Sequence, residues 1–237
     1  MRSVEDDLWW YRGLRRHVVQ SIDPPHPAFS LLDAGCGTGG MLSYIRARFP
    51  EAALTGIDFS ERALELTGRR ELGAGLIAGS TDQLPFDDAR FDVVLSLDVI
   101  AVHGVDDQAA VSEMHRVLRP GGQLIMNLPA FDFLRGSHDA AVNIARRYTR
   151  PRLERLLQHA GFADYRMTYW NMTLMPAVAA VRWASRGEAE KPDVRSDLRT
   201  VWPPLNATLA AIAHTELAIS RCIPLPFGTS LFAVARK

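Results

Sequence analysis

The 237 residues carry 27 Lys and Arg against 27 Asp and Glu, for a net charge of zero, with 47% hydrophobic and 23% charged residues. This globular mixture is sized for one domain with additions or two small domains, and it argues against a disordered chain or a fibrous repeat. A neutral chain offers no electrostatic footprint for nucleic acid or an anionic membrane as its main partner, which favours a small or neutral one.

Cys36 and Cys222 are the two cysteines, too few for a disulfide framework and without the spacing of a zinc site. The first residues are acidic where a secretory leader is basic, and the longest apolar run, 174–181, contains Pro176 and falls far short of the roughly 20 residues that span a bilayer. The expectation is a soluble, cytoplasmic protein with no membrane span and no metal. The Asn171 and Asn206 sequons, relevant only to secreted chains, are read as chance.

In chain order, residues 4–22 come first, with Leu8, Trp9, Tyr11, Leu14, Val18, Val19 and Ile22 at helical spacing and Pro24-Pro25 as the stop. Short apolar runs follow at 29–33, 53–58, 75–79, 91–97 and 123–128. Being apolar almost throughout, they read as strands of a parallel sheet buried on both faces. Helices alternate with them: 41–49, one opened by Ser60 as N-cap, and 106–118, basic at Arg116 and stopped by Pro120-Gly121-Gly122. A further helix, 149–160, has Pro151 in its first turn and Gly161 just past its end. The pattern is α/β. Residues 164–170 and 230–237 read as two more strands. The roughly 60 residues between them exceed any hairpin loop and must hold structure of their own. A helix at 173–184, a polar stretch at 185–200 read as disorder or a moving lid, and a helix at 205–222 fill that gap.

The segment Asp33-Ala34-Gly35-Cys36-Gly37-Thr38-Gly39-Gly40 leads from the first strand into a helix. Its glycines permit positive φ and let a ligand approach the backbone. Asp58, about 20 residues further on, stands where an acid meets a ribose in nucleoside-binding folds. A carboxylate at Asp33 is an odd neighbour for a diphosphate, which it would repel, but suits a ligand with a positive amino-acid end.

These motifs resemble those of class I S-adenosylmethionine (SAM) methyltransferases. Asp-x-Gly-x-Gly-x-Gly at residues 33–39, Gly56-Ile57-Asp58-Phe59-Ser60, Leu84-Pro85-Phe86 before Phe91-Asp92-Val93-Val94, and residues 113–122 follow the family's order over about residues 30–130. The resemblance implies a Rossmann-like three-layer sandwich with a seven-stranded, mostly parallel sheet of order 3-2-1-4-5-7-6. Residues 1–28 would form a helical cap, 29–170 with 230–237 the cofactor-binding core, and 171–229 a helical insertion or lid. It also implies SAM as cofactor and S-adenosylhomocysteine (SAH) as product, held by Asp33, Gly35, Cys36, Gly37, Gly39, Asp58, Phe59, Ser80, Thr81 and Asp98. One departure stands out: the acid that many members place after the third strand falls on Ser80, leaving a hydroxyl or the shifted Asp82 for the adenine.

Ligands of open α/β sheets lie beyond the carboxyl ends of the strands. Proton removal from an acceptor there suits a histidine, with His103 first and His138 second as catalytic candidates. His103 serves equally as a loop brace. Trp9-Trp10-Tyr11-Arg12-Gly13, His138-Asp139, Arg146-Arg147-Tyr148-Thr149 and residues 224–231 resemble a small-molecule subgroup of the family. That places Trp9, Trp10, Tyr11, His138, Arg147 and Tyr148 around the acceptor if the first helix and the insertion cover the strand ends. The basic cluster of Arg146, Arg147, Arg150 and Arg152 reads as a solvated face, and no Asn-Pro-Pro-Tyr-like base-binding motif follows the fourth strand, so a nucleic-acid substrate is not expected. The expected acceptor is a small molecule, of aromatic or polyketide-like natural-product type. The alternatives are a SAM-binding protein catalysing a cyclisation or rearrangement, and a non-catalytic partner subunit.

Overall fold

The computed structural model describes residues 8–184, 202–220 and 223–237, without the side chains of residues 137, 138, 183 and 184. The polar stretch 185–200, the first residues of the predicted N-terminal helix and Cys222 lie outside that description. Strands β1 (Ser30–Ala34), β2 (Ala53–Asp58), β3 (Gly75–Ala78), β4 (Phe91–Leu97) and β5 (Leu118–Pro129) are parallel. β6 (Asp164–Trp170) and β5 both pair antiparallel with β7 (Ser230–Arg236). The seven strands form one sheet of order β3-β2-β1-β4-β5-β7-β6, so the expected Rossmann-like architecture is borne out.

Helices cover both faces, as continuously apolar central strands require. On one face α1 (Trp9–Ser21), α2 (Gly40–Arg48) and α8 (Pro203–Ser220) set Leu14, Val18, Ile45 and Leu217 against Leu31, Val93 and Phe232. On the other, α4 (Asp107–Val117) and α6 (Arg150–Ala160) set Val111, Met114, Leu153 and Leu157 against Val94 and Met126. Helix ends follow their local chemistry. Ser60 caps α3 (Glu61–Gly68) through the Ala63 amide, Asp106 caps α4 through those of Gln108 and Ala109, and Gly161 closes α6 at φ 99°.

Three features differ from or extend the sequence reading. The Pro120-Gly121-Gly122 turn lies inside β5, which starts at Leu118 with a register shift against β4 between Phe91 and Val93. Gly121 there stands at φ 79°, and Lys237 pairs with it through the backbone, which keeps the irregular segment in the sheet. The stretch after β5 folds into a 3-10 turn (Asp132–Leu134) and the short helix α5 (Ser137–Ala141), pieces too brief to leave a periodic signal. The 113–116 motif works as a clip: the Arg116 guanidinium donates to Leu84 O, Phe86 O, Asp88 and Glu113, while Glu113 accepts from the Leu84 amide. It fixes the loop that enters β4.

The additions pack together. The Trp9 amide donates to Asn206 Oδ1 of α8 at 2.8 Å, and Gly13 lets α1 settle on Trp170, where a Cβ would meet the indole at 3.2 Å. Glu216 of α8 accepts from the Met172 and Thr173 amides and the Thr173 hydroxyl, each at 2.9 Å, fastening the loop before α7 (Met175–Ala184). Among the described residues no helix is long and apolar enough to cross a membrane.

A candidate active site at the carboxyl ends of the strands

The glycine turn is anchored to the sheet by the Gly35 and Cys36 amides, which donate to Ile57 O at 2.8 and 3.0 Å. Gly35 stands at φ 91° with Val99 where a Cβ would be. Gly37, at φ 53°, has nothing within 4 Å of that position, so the turn presents bare backbone to open space. Its amide donates to Asp58 Oδ2 at 2.8 Å, and the Ser60 amide to Asp58 Oδ1 at 2.9 Å. Asp58 therefore holds the turn at a set distance from β2 and keeps lone pairs on both oxygens. Gly39, at φ 77°, serves packing instead. A Cβ there would meet Thr67 at 2.6 Å, so it lets α2 settle against α3 and lines neither of the two cavities beside the turn.

Two cavities open beside this turn. The smaller, about 210 Å³, is lined by Asp58, Phe59, Ser80 and Thr81, and none of the described residues that line it is basic. Phe59 is 74% exposed and Thr81 Oγ1 is buried with no hydrogen-bond partner, leaving a free aromatic face and an unused hydroxyl. Asp82 is committed elsewhere: it is hydrogen-bonded to Ser80 and accepts from the Asp106 amide, which holds its carboxyl below the usual range. The larger cavity, about 400 Å³, takes Trp9, Trp10 and Tyr11 from α1, Asp33 and Cys36 from the turn region, and Arg147. Trp10 stacks on Trp170 with centroids 5.7 Å apart, which fixes that wall. Burial, with Asp33 and Asp58 adding to it, pushes the Cys36 thiol far up, so this sulfur is no nucleophile.

Gly35, Leu97 and Asp98 line both cavities. Asp98 sits at φ 63°, its amide donating to Asn127 O at 2.7 Å and its carboxylate oxygens each 3.0 Å from Asn127 Nδ2. Asn127 is itself held by Trp170 Nε1–H at 2.8 Å. Burial pushes the Asp98 carboxyl up to about 7 against the opposing pull of Asn127 and Arg147. Arg147 is 3% exposed, paired with Asp139 at 2.7 Å and donating to Ala130 O at 2.8 Å.

Other expected residues are placed differently. His103 is exposed, lines neither cavity, and ties its loop to Asn143 O through its backbone amide at 3.0 Å. The His138 side chain lies outside the described residues. Tyr148 is fully buried, its hydroxyl 2.9 Å from Asp107 Oδ2 and 3.1 Å from Ile100 O, and it braces α4 rather than facing a ligand. Arg15 and Arg182 line the larger cavity without having been singled out in the sequence. Arg15 left a signal: an arginine on the Tyr11, Leu14, Val18 stripe is a buried charge in a helix face meant for apolar residues. Arg182, in a short apolar helix, left none.

An open α/β sheet with a glycine turn, a tethered acid and a cleft at the strand ends is the arrangement found in nucleoside-binding folds. Residues 32–126 match the family model described as a methyltransferase domain. Over that segment the chain is similar to methyltransferases. It is 36% identical over 104 residues to a malonyl-[acyl-carrier protein] O-methyltransferase of Herminiimonas arsenicoxydans, covering 44% of this chain and 38% of that one. A fatty-acid O-methyltransferase of Mycolicibacterium smegmatis is 37% identical over 97 residues, 40% of this chain and 35% of the relative. The matches thus span well under half the length of these curated relatives. Among solved structures, Haemonchus contortus phosphoethanolamine N-methyltransferase 2, in complex with SAM, superposes with a TM-score of 0.63 at 20% identity, covering 94% of this chain and 52% of that one. Among the described residues no group of His, Cys, Asp and Glu could hold a metal ion.

Proposed function

We propose that this protein is a SAM-dependent methyltransferase whose acceptor is a small molecule. The observation that carries the reading is the pair of unlike cavities sharing one wall at Gly35, Leu97 and Asp98. The smaller suits an uncharged nucleoside: Asp58 for ribose hydroxyls, the Phe59 ring for an adenine face, Thr81 for a ring or amino nitrogen, and no cation for a diphosphate. Asp33 and the open backbone at Gly37 serve the amino-acid end. When bound, SAM supplies an activated methyl group and is left as SAH.

The larger cavity is the acceptor's place. Trp9, Trp10 and Tyr11 give it an apolar, aromatic wall that excludes water, and α1 with α7 acts as its cover. Positioning supplies much of the rate in a displacement of this kind, so the acceptor's hold matters more than any one side chain. An aromatic or polyketide-like natural product fits that wall, and O, N or C remain open as the methylated atom. Isothermal titration with SAM is the test: Asp58→Ala should weaken binding at least about tenfold, on the scale of lost charge-assisted hydrogen bonds. Folded wild-type protein that leaves SAM unbound overturns the reading, as does a turned-over acceptor whose mass has not grown by one methyl group.

A further inference from the structure

We propose that the Asp98 carboxylate reads the charge on the cofactor's sulfur, favouring cationic SAM over neutral SAH. The inference rests on the function proposed above and concerns a property that function does not require.

Three observations carry it. Asp98 is the one ionisable side chain among the described residues lining both cavities, and a methyl group passing from one to the other crosses that shared wall. It is held there by construction: the left-handed backbone at φ 63°, the bidentate contact with Asn127 and the Trp170 N–H behind Asn127 leave its carboxylate one position. Such a backbone is tolerated by Asp, Asn and Gly and is otherwise avoided, so the residue is costly to place and persists only where its surroundings enforce it. The Asn127 amide supplies both oxygens with a neutral donor and leaves the negative charge without direct neutralisation.

The other charged side chains that line the two cavities are arginines and aspartates. Arg15 of α1, Arg182 of α7 and Arg147, itself paired with buried Asp139, contribute positive charge to the larger cavity; Asp33 at the end of β1 and Asp58 at the end of β2 contribute negative charge. The Cys36 thiol stays protonated. Burial raises the Asp98 carboxyl to about 7, so a fraction of the free protein carries a proton there at neutral pH. A sulfonium placed against it favours the ionised form, and that proton leaves to solvent. SAH, which has no charge on sulfur, gives no such release, so the acidic proton and the methyl cation are mutually exclusive occupants of the wall.

Calorimetric titration of the full chain with SAM and, separately, with SAH from about pH 5.5 to about pH 8.5 is the experiment. The expected result is a SAM-to-SAH affinity ratio that climbs about tenfold across that range, the scale of one pKa unit. Heats taken in buffers of different ionisation enthalpy should show proton release near pH 7 with SAM and none with SAH. Asp98→Asn keeps the left-handed backbone and should bind SAH as before with a low ratio that does not change with pH. Titration of the amino-acid end common to both ligands remains in the variant and is removed by difference. A constant ratio in the wild type with both ligands bound, or equal proton release for both, overturns the inference alone, whatever the variant's folding. Failure of both ligands to bind overturns the site reading and the inference with it.

Discussion

At Gly35 one methyl group would have to share space with Val99 on a backbone at φ 91°, whereas at Gly37, two residues on, the same methyl group would enter open space. The two substitutions to alanine therefore separate packing from ligand approach. Gly35→Ala combines clash and strain and should destabilise the fold by about 2–4 kcal/mol, read from the urea midpoint. Gly37→Ala carries strain alone, about 1–2 kcal/mol, yet should weaken SAM binding as the methyl group takes the ligand's place. Residues of this turn were legible in the sequence because their spacing is local: Asp33, Gly35, Gly37 and Asp58 need only a strand, a turn and the next strand. His103 stands apart from the cavities for the complementary reason. It follows β4 closely in sequence, but the chain turns away after Asp98, and the group left at the junction is the aspartate.

The elements added to the sheet depend on a few long-range polar contacts. Glu216 satisfies two backbone amides and a hydroxyl at the end of β6 from a helix more than 40 positions later in the chain. Glu216→Ala removes three hydrogen bonds to a carboxylate and should destabilise by about 1–3 kcal/mol. Hydrogen exchange is the sharper measurement: amides 172 and 173 should exchange faster while those of β1 and β4 stay protected. Strands and the main helices were legible to within a few residues, since a strand buried on both faces writes an unbroken apolar run and helix ends carry their caps. The two helices of the insertion, expected at 173–184 and 205–222, stand at Met175–Ala184 and Pro203–Ser220; the α5 region and the packing of those helices were not legible, because they are set by contacts such as Arg147 with Ala130 and Trp9 with Asn206, between residues distant in sequence. The polar stretch 185–200, expected as disorder or a lid, lies outside the described residues.

Over the whole molecule the titrating groups pull stability in opposite directions. The Arg116 guanidinium holds Glu113 below its ordinary value; burial raises Asp92, but Ser30 and Arg119 outweigh it and leave that carboxyl low as well. Such groups add stability above their unfolded values near 4, and it is lost as pH falls through their folded values. Asp98 does the reverse. Between its unfolded value near 4 and its folded value of about 7 the native state keeps a proton that the unfolded chain gives up, so stability declines as pH rises through that window. Asp98→Asn should therefore raise the melting temperature over wild type at pH near 8, and the advantage should vanish by about pH 4, as expected where function is kept at the expense of stability. An equal advantage at both ends of the range would show that the carboxyl is not displaced.

The place of β7 also bears on how the molecule is made. Among the described strands β6 pairs only with β7, Trp170 opposite Ser230, and β7 in turn pairs with β5. A ribosome delivers β6 with its aromatic end about 60 residues before the strand that joins it to the sheet, so closure of that long loop, rather than local structure, governs completion of this half. During synthesis the nascent chain holds an exposed, unpaired strand edge, and aggregation at that stage, before any ligand is met, is the hazard the topology imposes.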